Sequence, residues 1–111
     1  MSEKALAIAL AQINPTVGDI EHNAALVRGA RAEAAALGAD LVVYPELVIA
    51  GYPPEDLVLR PAFQDAAEAA VAALAKETAD GGPAMLVGAP WREDGKLYNA
   101  ALLLDGGEIA A

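Results

Sequence analysis

Hydrophobic positions along the chain alternate between the period of a β-strand and that of an α-helix. Residues 5–11 place large apolar side chains on one face and alanines on the other, which predicts a strand that is buried on both faces. A helix is predicted next, because Asp19 can cap its N-terminus and Gly38 can end it. Its apolar face comprises Ile20, Ala24, Val27, Ala34 and Leu37.

The alternation continues with a second strand and a second helix. Residues 41–44 form a short β-branched run that predicts a buried strand, and Pro45 ends it. Residues 47–60 are irregular and rich in Gly and Pro, which predicts a bent loop. A helix is then predicted from Pro61 to about Ala79. Its apolar face comprises Phe63, Ala67, Ala70, Val71 and Leu74.

Three consecutive strands are predicted in the last third of the chain. The first two cover residues 84–89 and 98–104, and the third begins at Glu108. Reverse turns are predicted between them, at residues 94–95 and 105–107. The predicted order is therefore β-α-β-α-β-β-β, an α/β fold with both helices on one face of a sheet. Because the first two strands are apolar on both faces, we expect further sequence or a second protomer to cover the other face.

Charge and composition exclude several classes of protein. The 111 residues carry a formal net charge of −9, with acidic side chains spread along the chain, which argues against binding nucleic acid. No apolar run approaches the roughly 20 residues that a membrane span requires. Residues 1–4 lack the features of a signal peptide. We therefore expect a cytoplasmic protein that binds neither nucleic acid nor membranes.

The chain has no cysteine, which excludes disulfides, thiolate metal sites and a cysteine nucleophile within these residues. The one histidine, His22, has no closely spaced His, Asp or Glu partners, so we predict no metal site and an exposed position in the first helical turn. Trp91, at a strand end, is expected in the core or an interface.

Glu46 is the strongest catalytic candidate, because it directly follows an apolar strand and Pro45. Ligands of open α/β sheets bind outside the carboxyl ends of the strands. Burial at that position would make the carboxyl group suitable for proton exchange near neutral pH. The alternative is that Glu46 caps a turn or lies in solvent.

Four segments carry a resemblance to a known family. Segment 44–47 reads Tyr-Pro-Glu-Leu, segment 51–57 reads Gly-Tyr-Pro-Pro-Glu-Asp-Leu, segment 9–19 reads Ala-Leu-Ala-Gln-Ile-Asn-Pro-Thr-Val-Gly-Asp and segment 97–101 reads Leu-Tyr-Asn-Ala-Ala. At this spacing they resemble the glutaminase domain of glutamine-dependent NAD⁺ synthetases, within the nitrilase (carbon-nitrogen hydrolase) superfamily. The resemblance covers nearly the whole chain.

The resemblance implies the N-terminal portion of a nitrilase-type α-β-β-α sandwich with a catalytic Glu-Lys-Cys arrangement. Glu46 matches the glutamate, which serves as general base and acid. No residue matches the lysine or the cysteine, which are expected beyond Ala111; Lys96, beside a predicted surface turn, is a poor substitute. Tyr52 would line the glutamine pocket, or alternatively pack against the Pro-rich loop.

In this family the released ammonia reaches a separate synthetase domain, which uses ATP and Mg²⁺ to amidate deamido-NAD⁺. The resemblance therefore implies that residues 1–111 are an incomplete carbon-nitrogen hydrolase domain, inactive alone. L-glutamine, ATP and deamido-NAD⁺ would be ligands of the parent protein, a homo-oligomer, and no cofactor is expected in this chain. A stand-alone nitrilase-type amidase and a non-enzymatic assembly or binding module remain alternatives.

Asn99 is a polar residue close to a predicted turn. Such an asparagine can hydrogen-bond backbone groups near a site, but it more often serves local structure. We therefore expect a local role for Asn99.

Overall fold

The computed structural model describes residues 6–51 and 59–110. Its elements are β1 (Ile8–Leu10), α1 (Ile20–Ala36), β2 (Leu41–Val43), α2 (Pro61–Glu77), β3 (Ala84–Glu93), β4 (Lys96–Asp105) and β5 (Glu108–Ile109). A 3₁₀ turn, Thr78–Asp80, follows α2. The predicted order and the α/β class are confirmed, although β3 and β4 extend further than expected.

The five strands form one sheet in the order β1-β2-β3-β4-β5. The first three are parallel, because each is joined to the next through a helix. The last three are antiparallel and joined by short turns. At the β3–β4 turn Asp94 and Gly95 both have positive φ, 52° and 77°, which matches the right-handed twist of a hairpin.

The core lies between the two helices and one face of the sheet. Across the sheet, Ala9, Val42 and Met85 are in register, so their side chains form one row beneath the helices. Its fully buried side chains include Val27, Val42, Ile49, Val71, Leu74, Met85, Val87 and Leu104. Each such side chain contributes roughly 1.5–3 kcal/mol through removal from water.

The face of the sheet opposite the helices is open. Ile8 and Leu10 are 52% and 72% exposed, so the described residues bury β1 on one face only, and the cover expected from further sequence or a second protomer stays a prediction. Ala9, on the other face of β1, is partly buried and packs against the core.

Both helices begin and end close to their predicted bounds. Asp19 caps α1 by accepting a hydrogen bond from the His22 backbone N–H over 3.1 Å. Leu37, predicted on the buried face, is 86% exposed because α1 ends at Ala36. Within residues 6–51 and 59–110, no helix is long and apolar enough to cross a membrane.

Asn23 joins the loop after β1 to the loop after β2. Its side chain is fully buried on α1. The amide oxygen accepts from the Thr16 backbone N–H at 2.7 Å, and Nδ2 donates to the carbonyls of Thr16 and Ile49 at 2.8 and 3.0 Å. These bonds satisfy backbone groups that helix and sheet leave without partners.

Arg31 joins α1 to the end of α2. Its guanidinium binds both carboxylate oxygens of Asp80, at 2.8 and 3.0 Å, and also donates to the carbonyl of Pro83. The hydrogen bond from Arg31, assisted by the Gly82 backbone N–H, lowers the pKa of Asp80 to about 2.

Replacement of Asn23 by Ala should destabilise the protein by about 2–4 kcal/mol, because it leaves buried backbone groups without partners. His22→Ala, the neighbouring exposed position on α1, should change the free energy of unfolding by about 0.5 kcal/mol or less. Urea unfolding measures both values. Equal effects of the two variants would contradict the bridging role of Asn23.

The lowered pKa of Asp80 makes stability depend on pH. Because its folded-state pKa lies below the ordinary value of 3.8, its stabilisation is present above pH 3.8 and is lost as the pH falls towards about 2. In that interval the free energy of unfolding should fall more steeply for the wild type than for Asp80→Asn. Denaturation at stepped pH tests this, and parallel curves would refute it.

Candidate active site

Glu46 lies just past the carboxyl end of β2, as predicted. Its side chain is exposed rather than buried, because it points towards the face of the sheet that the described residues leave open. Asn99 Nδ2 donates to Glu46 Oε2 over 2.9 Å. The structure therefore places a carboxylate at the strand end, fixed through one oxygen, and the expected burial is not found.

The backbone at Glu46 lies directly against β3. A Cβ atom on Gly88 would be 2.5 Å from the backbone nitrogen of Leu47, so only glycine permits this approach. Leu47 has a φ of 50°, a left-handed conformation that is rare for a branched side chain. Tyr44 N–H donates to the carbonyl of Leu86, and Ile49 N–H to that of Gly88.

The segment 47–50 is a buried turn, whereas the sequence predicted an irregular loop. Val48, Ile49 and Ala50 are fully buried, and the Gly51 N–H donates to the Leu47 carbonyl over 2.8 Å. Burial of these side chains holds the chain in place directly after Glu46. The signal in the sequence was the run of four apolar residues after Glu46, which a solvated loop does not need.

Asn99 does not play the local role predicted for it. It lies within β4, opposite Pro90 of β3, and its amide reaches a residue 53 positions away in the sequence. The available signal was a polar residue within an otherwise apolar strand, on the side of the strand opposite Ala100.

A depression of about 220 Å³ includes Glu46 in its lining. It is lined by the end of β2, the middle of β3 and residues 99–101 of β4. Pockets that enclose a small molecule usually measure about 300–1,000 Å³. The depression is smaller than this range, so the described residues do not enclose a small molecule beside Glu46.

A larger hollow of about 870 Å³ lies between α1 and α2. Its lining includes five alanines and Phe63, together with the charged residues Asp19, Glu21, Arg28 and Arg60. Arg28 is paired with Glu77 at 2.7 Å, and Asp19 caps α1. Glu46 is the stronger candidate, because it follows the carboxyl end of a β-strand, where open α/β sheets bind ligands, whereas Glu21 of the hollow lies in the first turn of α1.

Other predicted residues lie apart from Glu46 or outside the described chain. Tyr52 lies outside the described residues, so its contact with substrate stays a prediction. His22 and Lys96 are exposed, and Trp91 is partly buried against the core, as expected. Within residues 6–51 and 59–110 no salt bridge involves Glu46, and no three His, Asp or Glu side chains converge to hold a metal ion.

Comparison with known families gives one match over almost the whole chain. Residues 7–111 match the family described as carbon-nitrogen hydrolase. A glutamine-dependent NAD(+) synthetase of Rhodobacter capsulatus is 46% identical over 104 residues, which cover 94% of this chain and 19% of that protein. The chain thus spans 19% of the length of this relative.

Solved structures include two kinds of neighbour. The glutamine-dependent NAD⁺ synthetase of Acinetobacter baumannii, in complex with adenosine diphosphate, has a TM-score of 0.85 and 34% identity, covering 94% of this chain and 19% of that one. An amidase from Nesterenkonia sp. has a TM-score of 0.83 and 30% identity, covering 96% and 41%. Both resemble this chain in fold and sequence.

Replacement of Gly88 by Ala should push the Leu47 backbone away from β3 and destabilise the protein by about 1–3 kcal/mol. Gly29→Ala is the matched control, because its added methyl group meets no atom within 4 Å. Within α1 that change should stabilise by about 0.5–1 kcal/mol. Urea unfolding of both variants should give opposite signs; a neutral Gly88 variant would contradict the close contact.

Proposed function

The chain belongs to the carbon-nitrogen hydrolase family, and on that premise we propose that Glu46 is the general base of a glutamine-hydrolysing site. The proposal is carried by one observation: the Glu46 carboxylate lies just past the carboxyl end of β2, and among the described residues its Oε2 accepts a hydrogen bond from Asn99. The backbone behind it is clamped to β3 at Gly88. Such a carboxylate can take and return a proton without moving.

In the proposed reaction Glu46 accepts the proton of a cysteine thiol, and the thiolate attacks the glutamine carboxamide carbon. A lysine stabilises the negative charge on the carbonyl oxygen. Glu46 then returns the proton to the leaving nitrogen, so ammonia departs and a thioester remains. Glu46 next deprotonates water, which hydrolyses the thioester to glutamate and restores the thiol.

Residues 1–111 supply only part of this machinery. The chain has no cysteine, and Lys96 is exposed at the start of β4. We therefore propose that residues 1–111 form part of a longer carbon-nitrogen hydrolase domain, whose remaining residues contribute the lysine and the cysteine. The size of the depression supports this, because it is smaller than a usual small-molecule pocket. Alone, the 111 residues should hydrolyse no glutamine.

In the whole protein we propose that the ammonia is used to amidate deamido-NAD⁺ with ATP. The names of the synthetases similar to this chain support that assignment. The described residues do not fit a magnesium site, since no three acidic or histidine side chains converge among them. ATP and Mg²⁺ are therefore assigned to a synthetase domain. Tyr52 as a glutamine contact and a homo-oligomeric assembly stay predictions.

A stand-alone amidase is the second candidate; it rests on the similarity to the Nesterenkonia amidase, which at 30% identity is lower than the 46% of the synthetase relative. The two candidates differ in what consumes the ammonia. If the whole protein makes NAD⁺ from glutamine, ATP and deamido-NAD⁺, the synthetase assignment holds. If it hydrolyses simple amides and shows no ATP-dependent synthesis, the amidase assignment holds. A non-enzymatic module would do neither.

Replacement of Glu46 by Gln in the whole protein keeps the shape of the side chain but removes the proton acceptor. Glutamine-dependent NAD⁺ synthesis should fall by about 10²–10⁴-fold, the usual contribution of a general acid–base group. With ammonium as the nitrogen donor the rate should remain that of the wild type, because no amide is then hydrolysed.

Glu33→Gln is the matched control, since Glu33 is an exposed glutamate on α1. It should leave both rates unchanged. An unchanged glutamine-dependent rate in Glu46→Gln would refute the role assigned to Glu46.

A further inference from the structure

We propose that Asn99 is a positioning residue that fixes the Glu46 carboxylate for proton transfer, an inference that rests on the proposed function. Asn99 Nδ2 donates to Glu46 Oε2 over 2.9 Å. Asn99 lies in β4 and Glu46 in the turn after β2, and the two residues are 53 positions apart in the sequence. This bond therefore exists only because the sheet brings β4 beside the end of β2.

Both ends of this hydrogen bond are attached to the same rigid strand. β4 pairs with β3 over nine residue pairs, and Asn99 lies opposite Pro90. Glu46 is anchored to β3 by the close contact of Gly88 with Leu47. The separation between the amide and the carboxylate is thus set by β3 and not by two mobile loops.

The side-chain amide of Asn99 is chemically suited to fixing the Glu46 carboxylate. An ionised carboxylate only accepts hydrogen bonds, so Asn99 must present its nitrogen. The amide has no titratable proton and therefore cannot replace Glu46 in the proton transfer. It occupies Oε2 and leaves Oε1 as the oxygen that takes the thiol proton. A glutamate side chain has three rotatable bonds, and one fixed oxygen restricts the orientation of the other.

The bond has little to contribute to folding. Both residues are exposed, and solvent screening limits even a charged interaction between exposed side chains to about 1 kcal/mol of stability. Loss of the bond should therefore affect the reaction without affecting the fold. This separates a positioning role from a structural one.

In the whole protein, Asn99→Ala should lower kcat for glutamine hydrolysis by about 10–100-fold, since misplacement by about 1 Å can cost 10²-fold. KM for glutamine should change by less than about threefold, because the ground-state complex does not depend on Oε1. The thermal midpoint should stay within about 3 °C of the wild type. Glutamate release and thermal unfolding measure these quantities.

Two further variants separate hydrogen-bond donation from shape. Asn99→Asp has almost the same shape but cannot donate when ionised, so it should lose at least as much kcat as Asn99→Ala. Lys96→Ala, an exposed position on the same strand, should keep the wild-type kcat. A wild-type kcat in Asn99→Asp would overturn the proposal, even if Asn99→Ala folds poorly.

A double-mutant cycle tests whether Asn99 acts through Glu46. In the Glu46→Gln background, Asn99→Ala should cause no further loss of the residual rate. An equal fold loss in both backgrounds would overturn the positioning role. If Glu46→Gln is inactive but Asn99→Ala keeps the wild-type kcat, this inference alone fails. If Glu46→Gln keeps full glutamine hydrolysis, the proposed function itself fails.

Discussion

Burial of the turn at residues 47–50 is the interaction on which the candidate site depends. Pro45 ends β2, and a chain leaving a sheet at that point could continue in many directions. Here it turns at once, because Val48, Ile49 and Ala50 enter the core completely. The turn brings its backbone against β3, where the absence of a side chain at Gly88 provides the space. The direction of Glu46 follows from this packing.

The two faces of the sheet lie in different surroundings. One face packs against both helices and holds the apolar core. The other carries Glu46 and Asn99 together with exposed apolar residues of β1. Buried polar groups on the helix side are satisfied, since Asn23 and Arg31 both hydrogen-bond loop backbone. These groups stabilise the loops, whereas Glu46 and Asn99 on the open face are exposed.

A carboxylate and an amide in contact across strands suit proton transfer. The sheet fixes their separation, because strand pairing specifies the register of each residue. A carboxylate on a free loop would have to be ordered during every turnover, at a cost in entropy. In this chain that ordering is part of folding. The open position of the pair also allows residues from elsewhere in a protein to reach the free carboxylate oxygen.

The sequence alone determined most of the fold. Alternation of apolar residues, caps such as Asp19 and turn residues such as Gly95 act locally, so they can be identified in a single chain. The element order followed from them, and the position of Glu46 after β2 followed from Pro45. The segments around Glu46 also carried the family resemblance, because short sequence motifs can be identified in a single chain.

Only the tertiary structure decided which side chains meet. Asn23 and Asn99 were given no long-range role by the sequence, because their partners lie 26 and 53 positions away. The burial of residues 47–50 and the exposure of Glu46 were also not apparent, since burial depends on what packs nearby. Local propensity acts over a few residues, whereas contacts of this kind depend on strand register and on the space left by Gly88.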